Sequence, residues 1–312
     1  MLAGLVGCGP AAPSIKIDGS STVYPLSEAV AEEFTRSGAR VNVTVGQSGT
    51  GGGFKKFSAL EIDLCDASRP IKPDEAKRCV AAGLDYLELV VAYDGIAIVV
   101  HPDNDWCAEL SVDQLAAIWR PDGPVRRWNE LDPAWPDHEI RLYGPGTDSG
   151  TFDYFTEEIV GEPRSCRPDF TASEDDNVLV TGISKDRHAL GYFGFAYYEE
   201  NAERLGLVGV KPTDDAAAVL PSLETIRSNA YTPLSRPLLV YVGRPVLERS
   251  VGLEFVRFYL ANAGGLATEV GYVPVPTEIA EKNLQKLNRA LTATVEPTPK
   301  VGASSLSEVP RS

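Results

Sequence analysis

Apolar positions recur along the chain in two alternating rhythms. Residues 14–18 (SIKID) place an apolar side chain at every second position, the period of a half-buried strand, and Leu26, Ala29, Val30 and Phe34 then mark one face of a helix. Residues 41–45 return to the strand period, and residues 54–60 read as a helix that follows a glycine-rich loop. The pair repeats with a strand over 61–66 and a helix over 73–82. A second block opens on Ser111 and Gln114, a capping box ahead of Val112, Leu115, Ala116 and Trp119. It continues with a strand over 139–143 and a helix over 152–159. Beyond the proline-rich stretch 231–237, residues 238–242 read as a strand, while Val251, Phe255, Phe258 and Tyr259 mark a helix. A last helix carries Ile279, Leu284, Leu287 and Leu291. Strands alternating with helices in this way give an α/β fold.

The long apolar run 86–100 is interrupted by Asp94-Gly95, and a single strand of that length is unusual, so the interruption is expected to mark a crossover between domains. At 312 residues, 43% hydrophobic and 23% charged, the chain can build two soluble lobes with sizeable cores. Lobe 1 is expected to be discontinuous, 14–93 together with 238–291, and lobe 2 to span 94–237. Residues 1–13 read as a truncated leader with a linker, and 292–312, rich in Pro, Ser and Thr, as a disordered tail.

Two loops carry the candidate chemistry: 46–53 (GQSGTGGG) and 144–152 (GPGTDSGTF), each between a strand-like run and a helix start. A third, 18–22 (DGSST), has the same composition. Unpaired backbone N–H groups at a helix start, joined by hydroxyls, can hold a tetrahedral oxyanion without a metal. The formal net charge of −15 argues against nucleic acid and against attraction to an anionic membrane surface. An anion site in so acidic a chain must therefore rely on local donors. Two α/β lobes that each supply such a loop imply a ligand bound in the cleft between them.

Enzymatic patterns are missing from the sequence. Gly146-Thr147-Asp148-Ser149-Gly150 does not fit the G-x-S-x-G elbow, GQSGTGGGFKK lacks the G-K-[ST] of a phosphate-binding loop of ATPases, and no cofactor motif occurs. The reading is a binding protein, not an enzyme. His101, His138 and His188 are scattered and no cysteine pair has a CxxC spacing, so no metal is expected. Residues 5–8 (LVGC) resemble a bacterial lipobox, which makes Cys8 a candidate for lipidation after export; a chance cysteine in an apolar N-terminus is the alternative. The remaining Cys65, Cys79, Cys107 and Cys166 are an even number suited to an oxidising compartment. Three pairings are open, and sequence adjacency favours Cys65 with Cys79 and Cys107 with Cys166.

Four segments in register carry a resemblance. Residues 18–25 (DGSSTVYP), 48–54 (SGTGGGF), 66–70 (DASRP) and 148–152 (DSGTF), with GYFGFAYY at 191–198 and GYVP at 271–274, are similar to the phosphate-binding proteins of bacterial Pst ABC transporters, the PstS-like family. The similarity runs in order from about residue 14 to 290. It implies a two-lobed class II periplasmic binding protein, a monomer outside the cytoplasm, tethered only by lipid, that captures inorganic phosphate and hands it to an ABC permease. A phosphate-sensing or scaffold lipoprotein, or a binder of another tetrahedral oxyanion, is the alternative. Carried over by position, Ser21, Thr22, Val23, Ser48, Gly49, Thr50, Gly51, Ser68, Ser149, Gly150 and Thr151 would hold phosphate. Two departures stand out: the family's aspartate falls where this chain has Ser68, and its arginine where this chain has Pro145. Arg69 is the expected replacement cation, with a salt bridge to Asp66 as the alternative. Asp148 or Asp66 is the expected acceptor for the phosphate proton, with helix capping as the other role for Asp148.

Overall fold

The computed structural model describes residues 13–147 and 149–292. Cys8, Asp148 and the tail beyond Thr292 lie outside the described residues, and so do the roles expected of them. The chain runs β1 (Ser14–Gly19), α1 (Tyr24–Arg36), β2 (Asn42–Gly46), α2 (Gly49–Ser58), β3 (Leu64–Ala67), α3 (Pro73–Ala81) and β4 (Tyr86–Val100). It continues through β5 (Glu109–Ser111), α4 (Val112–Trp119), β6 (Arg141–Pro145), α5 (Gly150–Phe155), β7 (Thr171–Ser173), α6 (Asp176–Ile183), β8 (Ala189–Gly194), α7 (Phe195–Glu200) and β9 (Gly206–Lys211). The return is made by α8 (Leu223–Arg227), β10 (Ser235–Gly243), α9 (Arg244–Leu247), α10 (Ser250–Glu269), β11 (Val273–Pro274) and α11 (Thr277–Thr292). The capping box at the start of α4 forms as read: Gln114 N donates to Ser111 Oγ at 3.1 Å and Ser111 N to Gln114 Oε1 at 2.9 Å.

The main path of the sheet has the order β2-β1-β3-β10-β4-β8-β6-β7. β1 pairs parallel with β2 and β3, and β6 pairs parallel with β7 and β8, so each end of the sheet has the crossover pattern of an α/β unit. Three core clusters follow the same division. One is built from residues between Ile96 and Leu234 with Val273 added, and the other two from residues between Ile15 and Ala92 and between Leu238 and Ala290.

β4 runs unbroken through Asp94-Gly95, where the sequence reading holds one strand of that length to be unusual. It is a single strand of 15 residues, paired antiparallel with β10 from Tyr86 to Gly95 and with β8 from Ile96 to Val100. Its length is sustained because neighbours satisfy its backbone along the whole run, and its apolar continuity reflects coverage on both faces. Gly95 is a point of close approach rather than a turn: a Cβ there would lie 2.5 Å from Ile226 Cδ1. β10 likewise begins inside the proline-rich stretch, at Ser235, and sets Arg236 opposite Asp94.

A second correction concerns α2, which starts at Gly49 and takes in the glycines that the sequence assigns to a loop. Glycine is a poor helix former, so propensity hides the first turn. Packing demands a glycine at 53 within that helix: a Cβ there would lie 2.6 Å from Gly19 Cα and 2.9 Å from Cys65 Sγ. A third correction removes the disulfides. Cys65, Cys79, Cys107 and Cys166 are all free thiols, Cys65 and Cys79 taken up as apolar side chains by one core cluster and Cys107 and Cys166 by another.

Candidate functional site

The loop after β1 turns on Gly19, whose φ of +149° and whose contact with Asp66 exclude any side chain; a Cβ would sit 2.1 Å from Asp66 O. Ser20 N donates to that same carbonyl at 2.9 Å, which locks the loop 18–22 onto the end of β3. Thr22 is buried, its N–H bonded to Ser20 Oγ at 3.2 Å and its carbonyl to the Tyr272 hydroxyl. Val23 is the N-cap of α1 and is wholly buried, so its side chain belongs to the core.

The loop before α2 is tied to its neighbours on both sides. Asp18 accepts from Lys56 Nζ at 2.6 Å and from Ser48 N at 3.0 Å. Partial burial would raise the Asp18 carboxyl, but the hydrogen bonds of Lys56 and Ser48 hold it below the usual carboxylate range. Ser48 Oγ also donates to Asp18 and so turns away from the cleft. Thr50 Oγ1 lies 3.2 Å from Ser68 Oγ and accepts from Ser68 N at 3.2 Å, joining the second and third loops.

Ser20, Ser21, Thr22, Gly49, Thr50, Gly51 and Ser68 line one side of a cleft of about 320 Å³, with Arg69 and Lys72 beside them. Asp153, Tyr154, Glu157, Glu158 and Pro163, from α5 and the segment after it, line it as well. Of the residues the sequence singles out, Ser21, Thr22, Gly49, Thr50, Gly51, Ser68 and Arg69 therefore come together. Ser149 is the N-cap of α5 and Gly150 and Thr151 open the helix; the three are not among the residues that line the cleft. Ser149 Oγ caps the helix by accepting from Thr151 N at 3.2 Å, and a Cβ at Gly150 would lie 3.1 Å from Thr22 Cα. The fourth loop thus touches the first loop directly.

Arg69 reaches the cleft with its fork occupied. Nη1 and Nη2 each donate to a Glu75 carboxylate oxygen at 2.9 Å, and the guanidinium stands 5.7 Å from the Phe54 ring centroid. The salt bridge anticipated as an alternative exists, but with Glu75 and not Asp66. Asp66 is also excluded as a contact for a ligand. It is wholly buried behind the cleft, with Oδ1 accepting from Ser27 Oγ at 3.0 Å and Oδ2 unpartnered. Desolvation pushes its carboxyl up to about 8, with the Ser27 hydrogen bond opposing the rise.

The cation that sequence reasoning missed is Arg236. Its Nη2 donates to Thr22 Oγ1 at 2.7 Å, while Nε and Nη2 lie 3.3 Å from Asp94 Oδ2. Its Cζ sits 3.4 Å from the Tyr154 ring centroid. The side chains of Arg236 and Asp94 are 12% and 2% exposed, so this pair sits in the wall of the cleft. Burial raises the Asp94 carboxyl, and Arg236 opposes that rise. A signal was present in the sequence: Arg236 is the sole charge in 231–242, an otherwise apolar and proline-containing run, just as Asp94 is isolated in 89–100. What ties the two together is the register of β10 on β4.

Comparison with known proteins follows from this geometry. A family model described as PBP superfamily domain matches residues 7–263. Protein SphX of Synechocystis sp. is 46% identical over 95% of this chain and 89% of its own length. The phosphate-binding protein PstS of Staphylococcus saprophyticus is 38% identical over 88% of this chain and 84% of its own. The crystal structure of a possible phosphate binding protein from Planctomyces limnophilus superposes with a TM-score of 0.86 at 46% identity, covering 90% of this chain and 99% of that one. With its mixed α/β sheet and its cleft between two α/β units, the chain belongs to the PBP superfamily, as a PstS-like member with the class II periplasmic-binding-protein fold.

Proposed function

We propose that this protein binds inorganic phosphate in the cleft and delivers it, outside the cytoplasm, to an ABC permease for uptake. The observation that carries the reading is the convergence on one cleft of three donor loops and Arg236, whose charge is balanced from behind by Asp94. Backbone N–H groups and the hydroxyls of Ser21, Thr22, Thr50 and Ser68 supply neutral donors, and Arg236 supplies one fixed cation, a set suited to a small oxyanion. Phosphate is favoured over other oxyanions by the names of the relatives, PstS of S. saprophyticus and the P. limnophilus protein. The two groups of core clusters are read as the two lobes, with β4 and β10 passing between them. Cys8 is proposed as the lipid anchor and the protein as a monomer; neither is a cofactor-dependent or enzymatic role.

Isothermal titration tests the reading. Phosphate should bind at one site per chain and raise the unfolding midpoint, because a ligand specific to the native state stabilises it in proportion to its occupancy. No heat and no midpoint shift at millimolar phosphate would sink it.

A further inference from the structure

Two arginines line the cleft, Arg69 and Arg236, and their pairings differ. Arg69 meets Glu75 fork to fork, each carboxylate oxygen accepting from its own nitrogen at 2.9 Å. Arg236 stands off that geometry. Its Nε and Nη2 both point to the one oxygen Asp94 Oδ2, at 3.3 Å each, and Nη2 donates at 2.7 Å to Thr22 Oγ1. Nη1 donates to no group among the described residues. A guanidinium beside a buried carboxylate gains most from two parallel bonds to two oxygens, the pairing that Arg69 reaches, so something keeps Arg236 out of it.

Tyr154 is in place to do so. Arg236 Cζ lies 3.4 Å from the centroid of its ring, a separation that requires the two planes to stack face to face, because an edge-on guanidinium would drive a nitrogen into the ring. The residue is 2% exposed and packed into the core cluster that runs from Ile96 to Leu234. Its hydroxyl donates at 2.6 Å to the carbonyl of Pro233, just ahead of β10, which ties the ring to the base of the strand that bears the cation. The helix that carries it, α5, abuts Thr22 through Gly150. Tyr154 is therefore fixed with respect both to the strand of Arg236 and to the threonine that Arg236 donates to. With its proton committed to Pro233, the hydroxyl has no donor to offer an anion, so any part the residue takes in binding passes through the ring.

Resting on the phosphate reading above, we infer that Tyr154 is a positioning residue for anion binding: its ring holds the Arg236 guanidinium out of the two-oxygen pair with Asp94 and keeps Nη1 available to the anion. The ring attracts the cation through its negative face and covers one side of it, so the stack does not compete with a hydrogen bond made at the guanidinium edge. Without the ring, the guanidinium turns into a fork on Asp94, whose side chain is 2% exposed, and the positive charge of the cleft is drawn away from the anion.

The test is a double-mutant cycle read by phosphate titration into the full chain, Tyr154→Leu, Arg236→Ala and the two combined. Tyr154→Leu should weaken phosphate binding by roughly three- to thirtyfold, the range of a desolvated contact between a cation and a ring, and Tyr154→Phe, which keeps the ring, should recover most of the loss. In the Arg236→Ala background the leucine substitution should change Kd by less than about twofold, because a residue that acts through Arg236 has nothing left to position. Equal losses from Tyr154→Leu in both backgrounds show a structural role and overturn the inference, as does an affinity of Tyr154→Leu equal to wild type. A series of increasingly fluorinated phenylalanines at position 154 keeps the shape of the ring while draining its negative face, and decides the matter alone where Tyr154→Leu does not fold. Phosphate affinity should fall stepwise along that series, and a flat series overturns the inference. Wild-type protein that binds no phosphate instead overturns the phosphate reading itself, and this inference with it.

Discussion

Replacing Arg236 by alanine removes three interactions at once. The Thr22 hydroxyl loses its donor at 2.7 Å, the Tyr154 ring loses the cation above it, and Asp94 is left 2% exposed with no counter-charge. For a bound anion the loss is that of a buried, charge-assisted contact, about 2–5 kcal/mol, or roughly thirtyfold to several thousandfold in Kd. For the unliganded fold, removing one partner of a buried ion pair costs on the order of 3–5 kcal/mol unless the survivor is neutralised. Asp94 can be neutralised, because its carboxyl is already raised by burial and, with Arg236 gone, only a backbone hydrogen bond from Gly95 opposes the rise. The sign follows: a carboxyl raised above its unfolded value favours the native state fully at pH below the unfolded carboxylate range, and that contribution is lost as pH rises through the folded value. Arg236→Ala should therefore be destabilised more at pH 8 than at pH 5, and Arg236→Ala/Asp94→Asn should recover stability without recovering affinity. Denaturant unfolding at the two pH values and phosphate calorimetry on the three proteins measure both effects. Affinity of Arg236→Ala within about threefold of wild type would refute the reasoning, because a cation bound to the anion cannot be removed at so small a cost.

Arg69→Ala should weaken phosphate binding less than Arg236→Ala and should lower stability by about 1–3 kcal/mol, because Glu75, 8% exposed, loses both guanidinium bonds; comparing unfolding with titration separates the two effects. Asp66, raised to about 8, should make the native state less stable as pH climbs from about 4 through that value, by an order of several kcal/mol at most, and Asp66→Asn should flatten the slope in denaturant midpoints between pH 5 and 9. Gly53→Ala should lower the thermal midpoint and weaken binding together, since a Cβ 2.6 Å from Gly19 Cα forces the first and second loops apart; an unchanged midpoint would contradict the packing. Reductant should leave the unfolding midpoint unmoved, and alkylation of the denatured chain without prior reduction should label Cys65, Cys79, Cys107 and Cys166.

Much of the fold was readable because its determinants are local. The period of two over 14–18, the helical face of Leu26, Val30 and Phe34, and the capping box of Ser111 with Gln114 each follow from side chains a few residues apart, and each forms. The donor loops were legible for the same reason, since small hydroxyl residues and glycine between a strand and a helix have few other uses in such numbers. The misreadings share the opposite character. Glycines 51–53 look like a loop until Gly19 and Cys65, distant in sequence, show why the helix can have no side chain at 53. The run 86–100 looks too long for one strand until β10 and β8 are seen to pair with it on either side of Asp94-Gly95. Cysteine count says nothing of which thiols face one another.

What the sequence alone determined, then, is the α/β alternation and the presence of an anion-binding set of loops. Which side chains complete that set was decided by the tertiary structure. Arg236 lies 214 residues from Thr22 and 142 from Asp94, and their meeting depends on strand register and on the two α/β units closing over one cleft. Glu75 claims Arg69 because α3 packs where it does, and Asp66 is shut away by Ser27 and Tyr259 on helices α1 and α10. A charge's role is set by its partners and its access to water, and those are properties of the packed molecule that no local pattern of residues encodes.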